Sequence, residues 1–123
     1  MANILVVGGS RGIGEALINA LLPNNNIFNL SRTAPAVEHP NLTHQSFDAL
    51  EDEVPLIEDI DSIVYCPGSI NLKPVTSLKP DDFRADFELN VIGAVNVIQK
   101  YARKLKKREN GKKINMISLF YPK

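Results

Sequence analysis

The chain has 123 residues, with 14 basic and 14 acidic side chains and therefore no formal net charge. Apolar residues make up 44% of the sequence and charged residues 23%, which is ordinary for a folded protein and argues against disorder. This balance gives no reason to expect a nucleic-acid or membrane partner, and a single cysteine excludes an intramolecular disulfide or a cysteine-based zinc site. Length and composition predict one cytoplasmic domain over residues 1–123, without a secretory signal or a membrane span.

The first part of the chain alternates apolar runs with helical and polar segments. Residues 2–7 form a short apolar run rich in β-branched side chains, which predicts a strand buried on both faces. A glycine-rich turn follows, and apolar residues then recur at helical spacing until Pro23 stops the helix. Further strands are predicted at 27–30 and 42–47, separated by a proline-containing loop at 33–40.

The same alternation continues beyond the third predicted strand. The acidic segment 50–60 predicts a short helix that is interrupted at Pro55. The apolar run 62–66 predicts a fourth strand, which Pro67 and Gly68 close. A loop that contains Pro74 and is followed by Pro80 is then expected at 69–79.

A long amphipathic helix is predicted from about Asp81 onward. Its apolar residues step by three or four positions and are expected to share one face: Phe83, Phe87, Val91, Ala94, Ile98, Ala102 and Leu105. Three consecutive cations at 106–108 and then Gly111 are a typical helix end. A fifth strand is predicted at 114–120.

Strands that alternate with helical segments predict β-α-β units and therefore a parallel sheet. Because such crossovers are right-handed, the expected fold is an α/β doubly wound parallel sheet of Rossmann type with strand order 3-2-1-4-5. In this arrangement a ligand crevice is expected at the carboxyl ends of strands one and four.

Three glycines with the spacing G-x-x-x-G-x-G join the first strand to the first helix. Gly8 permits a tight turn, Gly12 lets the backbone approach a pyrophosphate, and Gly14 allows the helix to pack closely on the strand. The unpaired N–H groups at the start of the helix favour a phosphate. The alternative is a glycine-rich turn that binds nothing, but a strand before it and a helix after it favour a dinucleotide site.

Five segments follow one another along the chain: VVGGSRGIG, Phe47-Asp48-Ala49, Tyr65-Cys66-Pro67-Gly68, the helix around Asn90, and KKINMIS. In this order they resemble the short-chain dehydrogenase/reductase family. Its members have a glycine motif, an Asp that meets the adenine ring, an N-N-A-G motif, a characteristic Asn in a long fourth helix, and a fifth strand. The resemblance covers essentially the whole chain and implies hydride transfer between a nicotinamide cofactor and a carbonyl or secondary alcohol.

Arg11 and Arg32 bear on the choice of cofactor. An NAD site needs a carboxylate after the second strand for the ribose 2′-hydroxyl, whereas an NADP site needs cations for the 2′-phosphate. The second strand leads into Ser31 and Arg32 without a carboxylate, and Arg11 lies in the glycine turn. A preference for NADP(H) over NAD(H) is therefore expected, the alternative being two solvated surface arginines.

The predicted cofactor-binding residues are Gly8, Ser10, Arg11, Gly12, Ile13, Gly14, Ser31, Arg32, Asp48, Ala49, Cys66, Pro67, Gly68 and Asn90. The resemblance implies that Asn90 lies in a bent part of the helix, where its backbone carbonyl holds a water of a proton relay. The alternative is an Asn packed between helix and sheet. Cys66 is expected to pack as an apolar residue, and His39 and His44 lack metal-ligand spacing, so no metal site is predicted.

Catalysis in the resembled family uses a Tyr and a Lys four residues later, with a Ser after the fifth strand. The sequence reaches Tyr121-Pro122-Lys123 and contains no such Tyr–Lys pair. Aligned on the apolar run, either Ser118 or Leu119 takes the place of that Ser, so Asn90 and Ser118 are the candidate catalytic residues. We therefore expect a family member truncated after the fifth strand, which binds cofactor but does not turn over substrate alone.

A second class of function stays open. A sheet that ends at the fifth strand would expose an edge and one apolar face of the long helix, which favours self-association. The chain could then be a catalytically inactive nucleotide-binding or protein-interaction module. The acidic stretch 38–61 and the basic stretch 100–113 are expected to be solvated faces, and only Tyr101 lies among the basic residues, so no nucleic-acid partner is predicted.

Overall fold

The computed structural model describes residues 1–69, 71–107 and 113–116. In this part of the chain, five parallel strands form one sheet in the order β3-β2-β1-β4-β5. They are β1 (Asn3–Val7), β2 (Asn26–Ser31), β3 (Leu42–Ser46), β4 (Ser62–Tyr65) and β5 (Lys113–Met116). The predicted parallel sheet and its strand order are confirmed, and the part of the predicted fifth strand beyond 116 lies outside the described residues.

The described helices connect neighbouring strands of the sheet: α1 (Gly12–Leu21), α2 (Pro80–Phe87) and α3 (Gly93–Lys107). A short 3-10 turn at Leu22–Asn24 follows α1 and contains Pro23, which cannot continue an α-helix. A π-helical turn at Glu88–Ile92 joins α2 to α3, so the predicted long helix contains an irregular turn. None of the helices in the described ranges has the length and hydropathy needed to cross a membrane.

Two apolar layers cover the two faces of the sheet. The layer on the α1 side contains Ile4, Val6, Ile18, Leu22, Ile27, Val64 and Cys66. The layer on the α3 side contains Leu5, Val7, Leu30, Phe47, Ile63, Tyr65, Ala94, Val97, Tyr101 and Leu105. Since successive residues of β1 and β4 contribute to opposite layers, both strands are buried on both faces, as their continuous apolar sequences predict.

The buried face of α3 differs from the predicted apolar stripe. The core side of this helix consists of Ala94, Val97, Tyr101 and Leu105. By contrast, Phe83 and Phe87 are 58% and 55% exposed, and Val91 is also exposed. The prediction of one continuous face was wrong because the π-helical turn at Glu88–Ile92 changes the number of residues per turn between α2 and α3.

Segment 50–60 does not form the predicted helix. Val54 is buried in the core, and the chain around it is irregular. The hydroxyl of Tyr101 donates to the carbonyl oxygen of Pro55 (2.6 Å) and accepts the backbone N–H of Ile57 (2.9 Å). Because Pro55 has no N–H and Tyr101 supplies partners to the neighbouring backbone, these contacts with α3 replace the hydrogen bonds of a helix.

Among the described residues, two ion pairs join the acidic segment to α3. Lys100 Nζ lies 3.5 Å from Glu53 Oε1, and Lys104 Nζ lies 2.7 Å from Glu58 Oε1. The predicted acidic and basic faces therefore contact each other here instead of being solvated separately. All four side chains are substantially exposed, so each pair stabilises the fold by about 1 kcal/mol at most.

We expect Tyr101→Phe to lower the free energy of unfolding by about 1–3 kcal/mol, because two backbone groups lose their partner while the ring still packs. Urea denaturation measures this change. Lys104→Ala removes one exposed ion pair on the same helix and is the matched control, with an expected effect below about 1 kcal/mol. Equal effects of the two substitutions would contradict the role given to the Tyr101 hydroxyl.

Candidate functional site

A cleft of about 610 Å³ opens at the carboxyl ends of β1, β2, β3 and β4. Val7, Leu30, Phe47 and Cys66 line it and lie at the last position of a strand or next to it. This is the position at which a doubly wound sheet reverses its strand order and binds ligands. The volume falls within the range of about 300–1,000 Å³ that is typical of small-molecule sites.

The turn after β1 brings the backbone close to both β4 and α1. Gly8 has a φ of +86°, and a Cβ there would lie 3.0 Å from the Pro67 ring. Gly12 has a φ of +64°, and a Cβ there would meet nothing within 4 Å. A Cβ at Gly14 would overlap the carbonyl oxygen of Gly8. Gly8 and Gly12 are therefore needed for their positive φ angles, and Gly14 is needed because a side chain has no space there. The space beside Gly12 stays open, so a ligand can approach the backbone at that point.

The N-terminus of α1 has no side-chain cap. Its first N–H groups have no partners within the helix and carry a partial positive charge. Arg11, the residue before the helix, has extended backbone with φ −161° and ψ 171°. Together with the open space at Gly12, this helix end fits an anionic group such as a pyrophosphate.

The charged residues that line the cleft are Arg11, Arg32 and Asp48. Both arginine side chains are exposed, and within the described residues neither forms an ion pair. Arg32 directly follows β2, and Arg11 directly precedes α1. The cleft therefore presents two available guanidinium groups and one carboxylate, which favours a ligand with several negative charges.

Local hydrogen bonds hold Asp48 and Ser31. The Asp48 Oδ1 atom accepts the N–H of Leu50 (2.9 Å), and the Asp48 N–H donates to Asp52 Oδ2 (2.7 Å). The Ser31 hydroxyl donates to the carbonyl oxygen of Thr33 (2.6 Å). In this conformation Ser31 therefore shapes the turn after β2, and its hydroxyl hydrogen is already engaged.

Asn29 lies fully buried on β2, beneath the glycine turn. Its Oδ1 accepts the N–H of Gly9 (2.9 Å), and its Nδ2 lies 2.8 Å from Ser31 Oγ and 3.0 Å from His44 Nδ1. A Cβ at Gly9 would overlap the Asn29 oxygen, so the absence of a side chain there permits the contact. Nothing in the sequence predicts this cluster, because a polar residue inside an apolar strand does not reveal its partners.

Tyr65 and Cys66 are buried at the end of β4 and stay protonated near neutral pH. Burial raises the pKa of the Cys66 thiol to about 11 and that of the Tyr65 hydroxyl to about 12. The Tyr65 hydroxyl donates to the carbonyl oxygen of Leu89 in the π-helical turn (2.7 Å). Gly93 leaves room for this hydroxyl, since a Cβ there would overlap it. Cys66 therefore packs as a neutral thiol, not as a poised nucleophile.

Asn90 lies in the π-helical turn and is not among the residues that line the cleft. Its Oδ1 accepts the N–H of Ser69, and its Nδ2 donates to the carbonyl oxygen of Ser69, both at 2.8 Å. Asp86 accepts the Ser69 hydroxyl at 2.7 Å. The Asn90 side chain thus holds the loop after β4 against the helix, while the proton-relay role of its carbonyl stays a prediction.

The cleft brings together most of the predicted cofactor-binding residues: Gly8, Ser10, Arg11, Ser31, Arg32, Asp48, Ala49, Cys66, Pro67 and Gly68. Gly12, Ile13 and Gly14 lie in the first turn of α1 and do not line it, and Ser118 lies outside the described residues. The lining residues that were not predicted are Val7, Leu30, Thr33, Phe47, Leu50 and Leu89. Val7, Leu30 and Phe47 could have been predicted, because they lie at or next to the carboxyl ends of predicted strands.

No group of three His, Cys, Asp or Glu side chains that could hold a metal ion occurs in the described ranges.

A family model described as short chain dehydrogenase matches residues 32–120. A comparison with curated proteins finds no match. Among solved structures, a short chain dehydrogenase/reductase from Saccharomyces cerevisiae has a TM-score of 0.82 and 19% identity, over 98% of this chain and 54% of its own. A short chain dehydrogenase from Leptospira borgpetersenii with bound NAD+ has a TM-score of 0.79 and 17% identity, over 94% of this chain and 50% of its own.

A short-chain dehydrogenase/reductase structure from Burkholderia multivorans with bound NADP has a TM-score of 0.64 and 20% identity, over 85% of this chain and 53% of its own. At these identities the similarity to the three solved structures establishes the fold. The chain spans about half the length of each of them.

We expect the Cys66 thiol to react slowly with iodoacetamide at pH 7–8, because the thiolate is the reactive form and burial raises the pKa to about 11. The rate should still be rising at pH 9.5, since a raised pKa keeps the thiol neutral until the pH approaches that value. Mass spectrometry of the intact chain measures the rate, with the urea-unfolded chain as control. Native alkylation at the unfolded rate would contradict the burial.

Proposed function

The chain belongs to the short chain dehydrogenase family, and on this premise we propose that it binds a nicotinamide dinucleotide and prefers NADP(H) over NAD(H). The observation that carries the proposal is the glycine turn beside the uncapped start of α1, accompanied in the same cleft by Arg11 and Arg32. Backbone N–H groups suit a pyrophosphate, and two cations suit the additional 2′-phosphate. The solved structures of similar fold with bound NAD+ and NADP support this ligand class.

The residues present fit the cofactor in size and in charge. The first turn of α1 and the open side of Gly12 would hold the pyrophosphate, Arg32 and Arg11 the 2′-phosphate, and Asp48 would meet the adenine. A bound nicotinamide supplies or accepts a hydride. What these residues themselves contribute is binding and orientation, because the fixed backbone of the turn is positioned before the ligand arrives.

The preference for NADP(H) rests on the turn after β2. Ser31, Arg32 and Thr33 occupy it, so no carboxylate is available there to accept the ribose 2′-hydroxyl of NAD. Arg32 is exposed and lines the cleft, and its guanidinium can donate two parallel hydrogen bonds to a phosphate. Charge-assisted hydrogen bonds contribute about 1.5–3 kcal/mol each, enough for roughly a tenfold preference or more.

We further propose that this chain alone binds cofactor without turning over a substrate by the family's mechanism. The 123 residues contain no Tyr followed four positions later by Lys. Tyr65 does not substitute for that Tyr, because its hydroxyl donates to Leu89 and its pKa is about 12, so it exchanges no proton near neutral pH. NADPH oxidation with a panel of ketones tests this claim, and activity of the chain alone would overturn it.

A second candidate function is a self-associating interaction module. Phe83, Phe87, Val91 and Val95 follow one another at four-residue spacing along α2, the π-helical turn and α3, and all four are exposed. Aromatic side chains that are 55–58% exposed on a helix favour contact with another surface. Light scattering distinguishes the possibilities, since a discrete dimer supports the module and a monomer at micromolar concentration argues against it.

We expect Arg32→Asp to weaken NADPH binding about tenfold or more, because a carboxylate repels the 2′-phosphate. NADH binding should stay the same or become tighter, since that carboxylate can accept the ribose 2′-hydroxyl. Isothermal titration calorimetry measures both affinities.

Arg103→Asp makes the same charge change at an exposed position of α3 and is the matched control. It should leave both affinities nearly unchanged. Unchanged NADPH affinity in Arg32→Asp, or an equal loss in both variants, would refute the assignment of Arg32.

A further inference from the structure

One buried amide connects three segments at the cofactor cleft. Asn29 accepts the N–H of Gly9 from the turn after β1, and its Nδ2 reaches Ser31 at the end of β2 and His44 on β3. The amide oxygen and both amide hydrogens therefore have partners. Asn29 is 0% exposed and its bonds to Gly9 and Ser31 are buried, whereas its bond to the half-buried His44 is partly accessible to solvent.

The orientation of this amide is determined by a backbone donor. The Gly9 N–H can only donate, so it must face the Asn29 oxygen, and the two Nδ2 hydrogens must then face Ser31 and His44. Ser31 Oγ can accept because its own hydrogen goes to the carbonyl of Thr33. His44 Nδ1 must also accept, so this nitrogen carries no proton and the ring proton lies on Nε2.

The same bonds connect two segments that line the cleft. Gly9 lies between Gly8 and Ser10, which both line the cleft, and Ser31 precedes Arg32, which lines it as well. The backbone of Gly9 packs directly on the amide, since a Cβ there would overlap the Asn29 oxygen. The backbone pairs the two strands directly, since the Gly8 N–H donates to the carbonyl oxygen of Leu30 (2.8 Å), and the Asn29 side chain adds the contacts that join the glycine turn to Ser31 and to β3.

We propose that Asn29 is a positioning residue, which together with neutral His44 holds the glycine turn and the Arg32 turn in the relative placement that NADP(H) requires. This inference rests on the proposed function and assigns a role to two residues that do not line the cleft. It makes binding sensitive to the protonation of His44, because a protonated Nδ1 can only donate and must break its bond with the Asn29 amide.

The substitution Asn29→Asp reverses which protonation state of His44 suits its partner at position 29. The carboxylate keeps an oxygen for the Gly9 N–H and nearly the same volume, but it places a second oxygen opposite His44 Nδ1. A neutral His44 must then move its ring proton to Nδ1 in order to donate to the carboxylate, whereas a protonated His44 donates without that change and is also attracted by the negative charge. The wild-type chain should therefore bind NADPH less tightly as the pH falls from 8 to 6, and Asn29→Asp more tightly, each relative to a variant that has no histidine at position 44.

That reference variant is His44→Asn. The amide oxygen of the new Asn can occupy the place of Nδ1 and accept the hydrogen bond from the Asn29 amide at any pH. His39→Asn is the matched control, since His39 Nδ1 also accepts a backbone N–H, from Asn41 (3.0 Å), away from the Asn29 cluster. The ionisable groups on the elements that neighbour β3 in the chain or in the fold are Glu15 of α1, Glu38 and His39 in the loop before β3, and Arg32 after β2. Histidine is the residue type that ordinarily changes charge between pH 5 and 8.

The experiment measures the NADPH dissociation constant of the wild-type chain, Asn29→Asp, His44→Asn and His39→Asn at pH 6 and pH 8. Because a phosphate group titrates near pH 6, each constant is divided by that of His44→Asn at the same pH. We expect this ratio to rise about threefold or more on acidification for the wild type and His39→Asn, and to fall for Asn29→Asp. The 15N NMR shifts of the His44 ring at pH 8 should show the proton on Nε2, independently of any ligand.

Parallel pH profiles in all four proteins would overturn the role of Asn29 and leave NADPH binding established. A proton on Nδ1 at pH 8 would also overturn it, because the Asn29 amide would then have no acceptor at His44. Absence of NADPH binding by the wild-type chain at both pH values would refute the proposed function, and with it the positioning role.

Discussion

The carbonyl oxygen of Gly8 lies so close to α1 that the helix can pack there only if residue 14 has no side chain. This contact determines where α1 begins and therefore where its uncapped N–H groups lie. It depends on the left-handed backbone of Gly8, which also brings the turn against Pro67 after β4. Because β1 lies between β2 and β4, this junction joins the centre of the sheet to the cleft at its carboxyl edge. A residue with a side chain in place of Gly14 would overlap the Gly8 carbonyl oxygen and displace the helix from that edge.

The chemistry of the cleft follows from what surrounds this junction. The positive elements are a helix N-terminus and two arginines outside any described ion pair, whereas the buried hydroxyl of Tyr65 and thiol of Cys66 have raised pKa values and stay neutral. These positive elements suit an anion, and neither Tyr65 nor Cys66 takes part in proton transfer near neutral pH. In the proposed function these residues therefore contribute cofactor binding and not proton transfer.

The sequence predicts those elements whose formation depends on residues close to one another in the chain. The apolar runs of β1 and β4 and the spacing of Gly8, Gly12 and Gly14 predict the sheet, its order and the position of the cleft. Residues 50–60 behave differently, because their hydrogen bonds come from Tyr101, more than 40 positions away. The face of α3 depends on a π-helical turn, and the role of Asn29 depends on its contacts with Gly9 and His44 across the sheet. These long-range contacts leave no periodic signal in the sequence.

We propose above all that the native chain holds an NADP(H) site built from the glycine turn and the arginines. A thermal melt of the 123-residue chain, alone and with saturating NADPH or NADH, tests it most directly, because a ligand that binds only the native state must raise the midpoint. We expect a cooperative transition whose midpoint NADPH raises by several degrees and NADH raises less. A cooperative transition that neither nucleotide moves would contradict the proposal.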